Sequence, residues 1–249
     1  MLAFEKILQQ SDENIVLSFD LEWTKNYRIS NGNKPFCFSF VYFPSGKLPS
    51  NIEEQLEFSF VARYIESNSE IPTLVKIADQ LLARFTDRGN VTVVGHQLSS
   101  DIAVLLRYQD VVRLDNFFLL RDLWRKRANH DPKHRVNVFD TRYDLNGFLK
   151  GKSRRLVDVC VECNMDVTQP EITSSMTKMH KDFIATRDRA IMERLLVLNI
   201  RHSLSAALLY LFFRLDFKPK TVVNVNRILY RNLKNHFRYV EEEGFQILI

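Results

Sequence analysis

The apolar run Ile15-Val16-Leu17-Ser18-Phe19 passes directly into Asp20-Leu21-Glu22-Trp23, so a buried strand closes on two carboxylates two positions apart. Alternate residues of a strand share a face, which sets Asp20 and Glu22 side by side at its end. Acids held that close resist joint ionisation unless a cation lies between them. The pattern therefore points to a divalent metal site. An acid-any-acid triplet is also common at ordinary solvated strand ends, so its weight depends on the motifs that accompany it further along the chain.

The rest of the pattern is that of a sheet with helices. Residues 14–23 and 35–43 read as strands, the second alternating and preceded by an Asn-Gly-Asn turn at 31–33. Residues 56–61 read as a third strand of the same meander. Ile71, Leu74, Ile77, Leu81, Leu82 and Phe85 recur at helical spacing, with Pro72 in the first turn, which predicts an amphipathic helix over 71–86. After a turn at 87–90, residues 91–95 form a short buried strand that leads through His96 into a helix at 98–106. A further strand is expected at 136–141, and helices at 154–164 and 187–215. Antiparallel-looking strands followed by a strand and a helix indicate an α/β fold with a mixed sheet flanked by helices.

Composition narrows the class. The chain has 249 residues, 45% hydrophobic and 26% charged, which suits a globular protein with a sizeable core and not a disordered one. We expect one domain over 1–216, with a basic C-terminal extension over 217–249 that opens on Phe217-Lys218-Pro219-Lys220 and packs on it. Lys and Arg exceed Asp and Glu by 35 to 30, so local basic patches matter more than the total. The three cysteines cannot form a disulfide framework and suit a reducing compartment, the cytoplasm. Cys160 and Cys163 form a C-x-x-C pair with no second pair to complete a zinc site, and read as helix cysteines one turn apart. The acid-bearing N-terminus reads as neither a secretory signal nor a transit peptide. With no run of about eighteen uncharged apolar residues, no membrane span is expected, and 204–213 reads as a core helix.

A third acid follows the strand at 91–95. In Gly95-His96-Gln97-Leu98-Ser99-Ser100-Asp101, the carboxylate falls in the first helical turn, where the helix N-terminus favours negative charge. By itself Asp101 is a helix-start acid, with Ser99 or Ser100 as caps. Taken with FDLEW at 19–23, however, VVGHQLSSD at 93–101 resembles the second motif of the DEDD superfamily of 3′-5′ exonucleases. That family has a ribonuclease H-like fold and opens on a D-x-E strand. VFDTRY at 138–143 and SRRLVDVCVECN at 153–164 resemble the later strand and helix, so the likeness covers roughly 14–215.

The chain departs from the family at the last motif. Members carry a final Asp on a helix, preceded by Tyr four residues earlier or by His five residues earlier. Here the helix reads Leu198-Asn199-Ile200-Arg201-His202-Ser203-Leu204-Ser205-Ala206-Ala207. In one alignment His202 matches the general base and Ala207 replaces the last Asp. In the other, Leu198 replaces Tyr and His202 occupies the place of the carboxylate. Both single out His202, which as an apolar helix histidine also has a plain core reading.

The resemblance implies two-metal hydrolysis of DNA or RNA phosphodiesters, with single-stranded 3′ ends as substrate and two Mg2+ or Mn2+ ions as cofactors. It assigns Asp20 as bridging ligand, Glu22 to the water side and Asp101 to the second ion. His202 is then either the base or a nitrogen ligand. An imidazole ligand suits Mn2+ better than Mg2+. The alternative is a degenerate nucleic-acid-binding or partner-docking module that lost catalysis with the final Asp.

A nuclease must hold a polyanion beside its own carboxylates, so basic and aromatic groups are expected near the site. Segment 121–135 supplies Trp124, Arg125, Lys126 and Arg127 between the second and third motifs, although such clusters are often solvated loops. Trp23 could stack a terminal base or sugar, while Phe19 reads as core. A second cluster at 227–238 reads as an amphipathic basic helix whose apolar residues favour docking on the domain.

Overall fold

The computed structural model describes residues 1–8, 14–24, 33–46, 48–87, 89–129, 134–145, 147–170, 172–215 and 221–249. The turn residues Asn31 and Gly32, Arg88, His130 and Lys133 of the basic segment, and the 217–220 junction lie outside them.

In chain order the elements are β1 (Leu2–Lys6), β2 (Ile15–Thr24), β3 (Lys34–Pro44), α1 (Ile52–Gln55), β4 (Ser59–Tyr64), α2 (Ile71–Thr86), β5 (Val91–Gly95), α3 (Leu98–Leu106), α4 (Asp115–Lys126) and β6 (Val136–Asp140). There follow α5 (Leu156–Glu162), β7 (Met165–Asp166), α6 (Met176–Thr186), α7 (Arg189–Arg214), β8 (Val223–Asn224), α8 (Val225–Leu233) and α9 (Glu243–Gln246). Six strands form one mixed sheet in the order β1-β4-β3-β2-β5-β6, antiparallel from β1 to β2 and parallel from β2 to β6. β7 and β8 pair separately.

β3 is buried on both faces from Pro35 to Phe43, which explains its nearly uninterrupted apolar run. On one face Phe40 and Tyr42 meet Phe85 of α2, and Phe19 of β2 meets Phe117 of α4. Alternation sends the intervening residues to α7 on the other face, where Ser39 and Ser203 share a 2.7 Å hydrogen bond. α7 is long and apolar enough to cross a membrane, but 89% of its most apolar window is buried within this fold. It is the central core helix.

Several elements differ from the sequence pattern. The third strand starts at Ser59 and not at 56, because 52–55 turns into the short helix α1, capped by Asn51. β1 escapes the pattern because an edge strand of alternating half-burial lacks a continuous apolar signature. α4 and α6 carry only narrow apolar stripes among charges, and packing against their neighbours makes them helical.

The C-terminal residues pack closely against the sheet and α1. α8 buries Val225, Ile228, Leu229 and Leu233, Phe237 stacks on Phe4, and Arg227 pairs with Glu53. Asn232 accepts from the Phe58 amide and donates to the Leu56 carbonyl. Cys37 and Cys160 are buried, and Cys163 is half-buried at the C-terminus of α5.

Candidate metal centre

β2 and β5 lie side by side and parallel, but the chain continues from β2 to one side of the sheet and from β5 to the other. Such a reversal opens a crevice at the carboxyl ends of the two strands. A cleft of about 470 Å³ occupies this place, lined by Asp20, Glu22 and Trp23 of β2, His96 and Gln97 after β5, Asp101 of α3 and His202 of α7 among others. Residues far apart in the chain meet here because two strand ends and two helices from opposite faces converge.

Alternation on β2 aims Asp20 and Glu22 at the α7 side, and α7 answers with His202. The imidazole Nδ1 lies 3.4 Å from Asp20 Oδ2 and 3.3 Å from Glu22 Oε1. Burial opposes protonation of this ring, yet the two carboxylates outweigh it and push His202 up to about 9. One turn earlier on the same helix face, Asn199 Nδ2 donates to Asp20 Oδ2 at 2.6 Å and to the Asp20 carbonyl at 3.3 Å. The β2–β3 register shifts between Glu22 and Trp23, and Trp23 stands on the wall of the cleft.

Asp101 lines the same cleft from α3. It is 3% exposed and its Oδ2 has no hydrogen-bond partner. Burial, then the negative charges of Asp20, Glu22 and Asp140, hold its carboxyl well above the usual range. An unsatisfied buried acid costs stability, which a bound cation would offset.

The turn that delivers Asp101 is tightly built. A Cβ on Gly95 would lie 2.9 Å from Leu98 Cδ1 and 3.2 Å from the Phe19 carbonyl, so a larger residue there would press on α3 and on the β2 backbone. Gln97 adopts a left-handed conformation with φ 63°, and its amide donates to Asp140 Oδ1 at 2.9 Å. Asp140 is fully buried and also accepts from the Arg142 amide at 3.0 Å and from Trp124 Nε1 at 2.8 Å. Burial raises its pKa against these three bonds. His96 spans the same corner, with Nδ1 2.9 Å from Thr141 Oγ1 and Nε2 2.9 Å from the Arg154 carbonyl. Burial lowers its pKa to about 4, so the ring is neutral, with Nε2–H donating to that carbonyl.

The structure thus gathers Asp20, Glu22, Asp101, His202 and Trp23 in one cleft. Trp124, Arg125, Lys126 and Arg127 do not line it. Trp124 gives its indole N–H to Asp140, and Arg127 lies over the Trp124 ring and pairs with Asp144 at 2.9 Å. Arg125 is exposed and faces Asp122 at 3.8 Å, and Lys126 is exposed. Phe19 is core, at 1% exposure. Ala207 is fully buried in α7 and does not line the cleft.

Sequence reasoning missed Asn199, Asp140 and His96 as parts of the site. Asn199 was accessible in principle, since it stands three residues before His202 on the same helical face.

Ligand atoms of Asp20, Glu22 and His202 all lie within 4.8 Å of one another, so these three could hold a metal ion. Carboxylate oxygens and one imidazole, beside a buried acid with an unpartnered oxygen, suit a divalent cation. No family model matches the chain, and no curated protein matches it.

Proposed function

We propose that this protein is a divalent-cation-dependent 3′-5′ exonuclease of the DEDD type on a ribonuclease H-like fold, acting on single-stranded ends of DNA or RNA. The convergence of Asp20, Glu22 and His202 with the unpartnered Asp101 at the β2–β5 crevice carries the reading. The mixed sheet, with the D-x-E strand among its central members, supports it.

Asp20, Glu22, Asp101 and His202 would hold two Mg2+ or Mn2+ ions. Ions bound there would supply Lewis acidity toward a water molecule and positive charge toward the leaving 3′-oxygen. Asn199 fixes the orientation of Asp20, as an outer partner of a ligating carboxylate does. His202 faces both strand acids directly while Ala207 is buried away from the cleft, which favours the alignment placing His202 in the final acid's position. A nitrogen donor there favours Mn2+ over Mg2+. Trp23 offers its ring to the terminal base or sugar.

A second reading rests on the same histidine. With its pKa pushed up to about 9, a protonated His202 neutralises Asp20 and Glu22 as a built-in cation, which suits a nucleic-acid-binding module without catalysis. End-labelled oligonucleotides incubated with Mg2+ or Mn2+ test the choice. Wild type shortens them from the 3′ end, and Asp20→Ala and Glu22→Ala do not. Shortening that persists in both variants overturns the exonuclease assignment. Calorimetric titration showing oligonucleotide binding without Mn2+ uptake selects the binding module.

A further inference from the structure

A carboxylate-lined cleft repels the backbone of any nucleic acid that enters it, so cations must stand within about 10 Å of its mouth to be felt at moderate salt. The cluster at 121–127 is a poor source. Arg121 and Arg125 face Asp122, Arg127 pairs with Asp144, and Trp124 is tied to Asp140.

Another basic segment is tied directly to the cleft. Residues 150–155 read Lys-Gly-Lys-Ser-Arg-Arg and are all exposed, and the next residue, Leu156, lines the cleft. The Arg154 carbonyl accepts from His96 Nε2 at 2.9 Å and from Arg142 Nη1 at 3.2 Å. His96 is itself a cleft wall, and its other nitrogen contacts Thr141, whose amide bonds the Gly95 carbonyl at 2.9 Å. The loop therefore hangs from the ends of β5 and β6, the same corner that delivers Asp101. Two of its cations are answered by acids of α5, Lys152 by Glu162 and Arg155 by Asp158. Arg142, Lys150 and Arg154 have no carboxylate partner among the described residues.

We infer that loop 150–155, together with Arg142, holds the phosphodiester backbone of the single strand that leads into the metal centre. The inference rests on the proposed nuclease reading and adds to it the path of the substrate. His96 acts as a positioning residue, holding the loop by its main chain and leaving the side chains of Lys150 and Arg154 to meet phosphates.

Fluorescence anisotropy with labelled oligodeoxythymidine and oligouridine, in chelator and over a range of salt, tests the inference. Wild type gives log K falling linearly with log salt. Lys150→Ala/Arg154→Ala removes two phosphate contacts, so the slope shrinks by about 1.4 and affinity at about 0.1 M salt falls about 25-fold on both probes. Lys76→Ala/Arg84→Ala, which removes exposed cations of α2, leaves both values unchanged. An unchanged slope in the loop variant overturns the inference. Trimming with Mn2+, run in parallel, separates the two readings. A wild type that trims while the loop variant keeps its slope and rate sinks the loop alone. Loop-dependent binding without trimming sinks the exonuclease and keeps the loop. A wild type that binds neither probe sinks both.

Discussion

Replacing Asp101 by asparagine should make the metal-free protein more stable and the metal-loaded protein relatively less so. In the folded state the carboxyl is almost fully excluded from water, and one oxygen has no partner. Its pKa is raised, so between the ordinary acid range and the raised value the unfolded chain binds fewer protons than the folded one. Stability therefore falls as pH rises through that interval, the reverse of a salt-bridged acid. At neutral pH the uncompensated group costs on the order of 1–3 kcal/mol. For a chain of this size about 2–4 °C of melting temperature accompanies each kcal/mol. Asp101→Asn in chelator should thus melt about 2–12 °C higher than wild type. Adding Mn2+ to about 100 times its dissociation constant stabilises wild type by about 2.7 kcal/mol, or about 5–11 °C. The variant, having lost a ligand, should gain clearly less. Thermal melts of both proteins, with and without Mn2+, give the four values needed. A variant that melts lower than wild type in chelator, or that gains the full wild-type shift from Mn2+, refutes the reasoning.

Three further outcomes rest on the same geometry. Asn199→Ala removes the 2.6 Å bond to Asp20 and should lower Mn2+ affinity by about 10–100-fold in calorimetry, with the fold retained by circular dichroism. In metal-free protein the His202 pKa is raised from 6.5 to about 9, so its contribution is complete below 6.5 and is lost as pH climbs through about 9. Urea unfolding across that interval should show a decline on the order of 3 kcal/mol that His202→Gln flattens. Trp124→Phe strips the indole donor from buried Asp140 and should cost about 1–3 kcal/mol in chemical denaturation. The same variant should leave the salt dependence of oligonucleotide binding unchanged, in contrast to the loop variant.

The centre of the fold was legible because its residues obey a single period. β5, α2 and α3 span the residues read from spacing alone, 91–95, 71–86 and 98–106. β1 and α4 were not legible, since an edge strand and a charge-rich helix draw their order from neighbours that linear periodicity does not contain. The candidate site divides in the same way. Asp20 and Glu22 stand out by alternation on a strand, Asp101 and His202 through the family resemblance, and all four line the cleft. Trp124 and Arg127 have the composition of a nucleic-acid patch, but they hold Asp140 and Asp144. Composition records charge, and only contacts reveal whether that charge is already answered.

By itself the sequence determined the two faces of β2, because alternation on a strand is a local property: Phe19 goes to the core and Asp20 and Glu22 go together to the other side. The tertiary structure alone decided that α7 crosses that side with Asn199 and His202 against those acids, and that Asp101 arrives unpartnered from the opposite layer. Chain separations of 179 residues between Asn199 and Asp20 are closed by packing of the whole core. No local preference encodes the distance between groups so far apart.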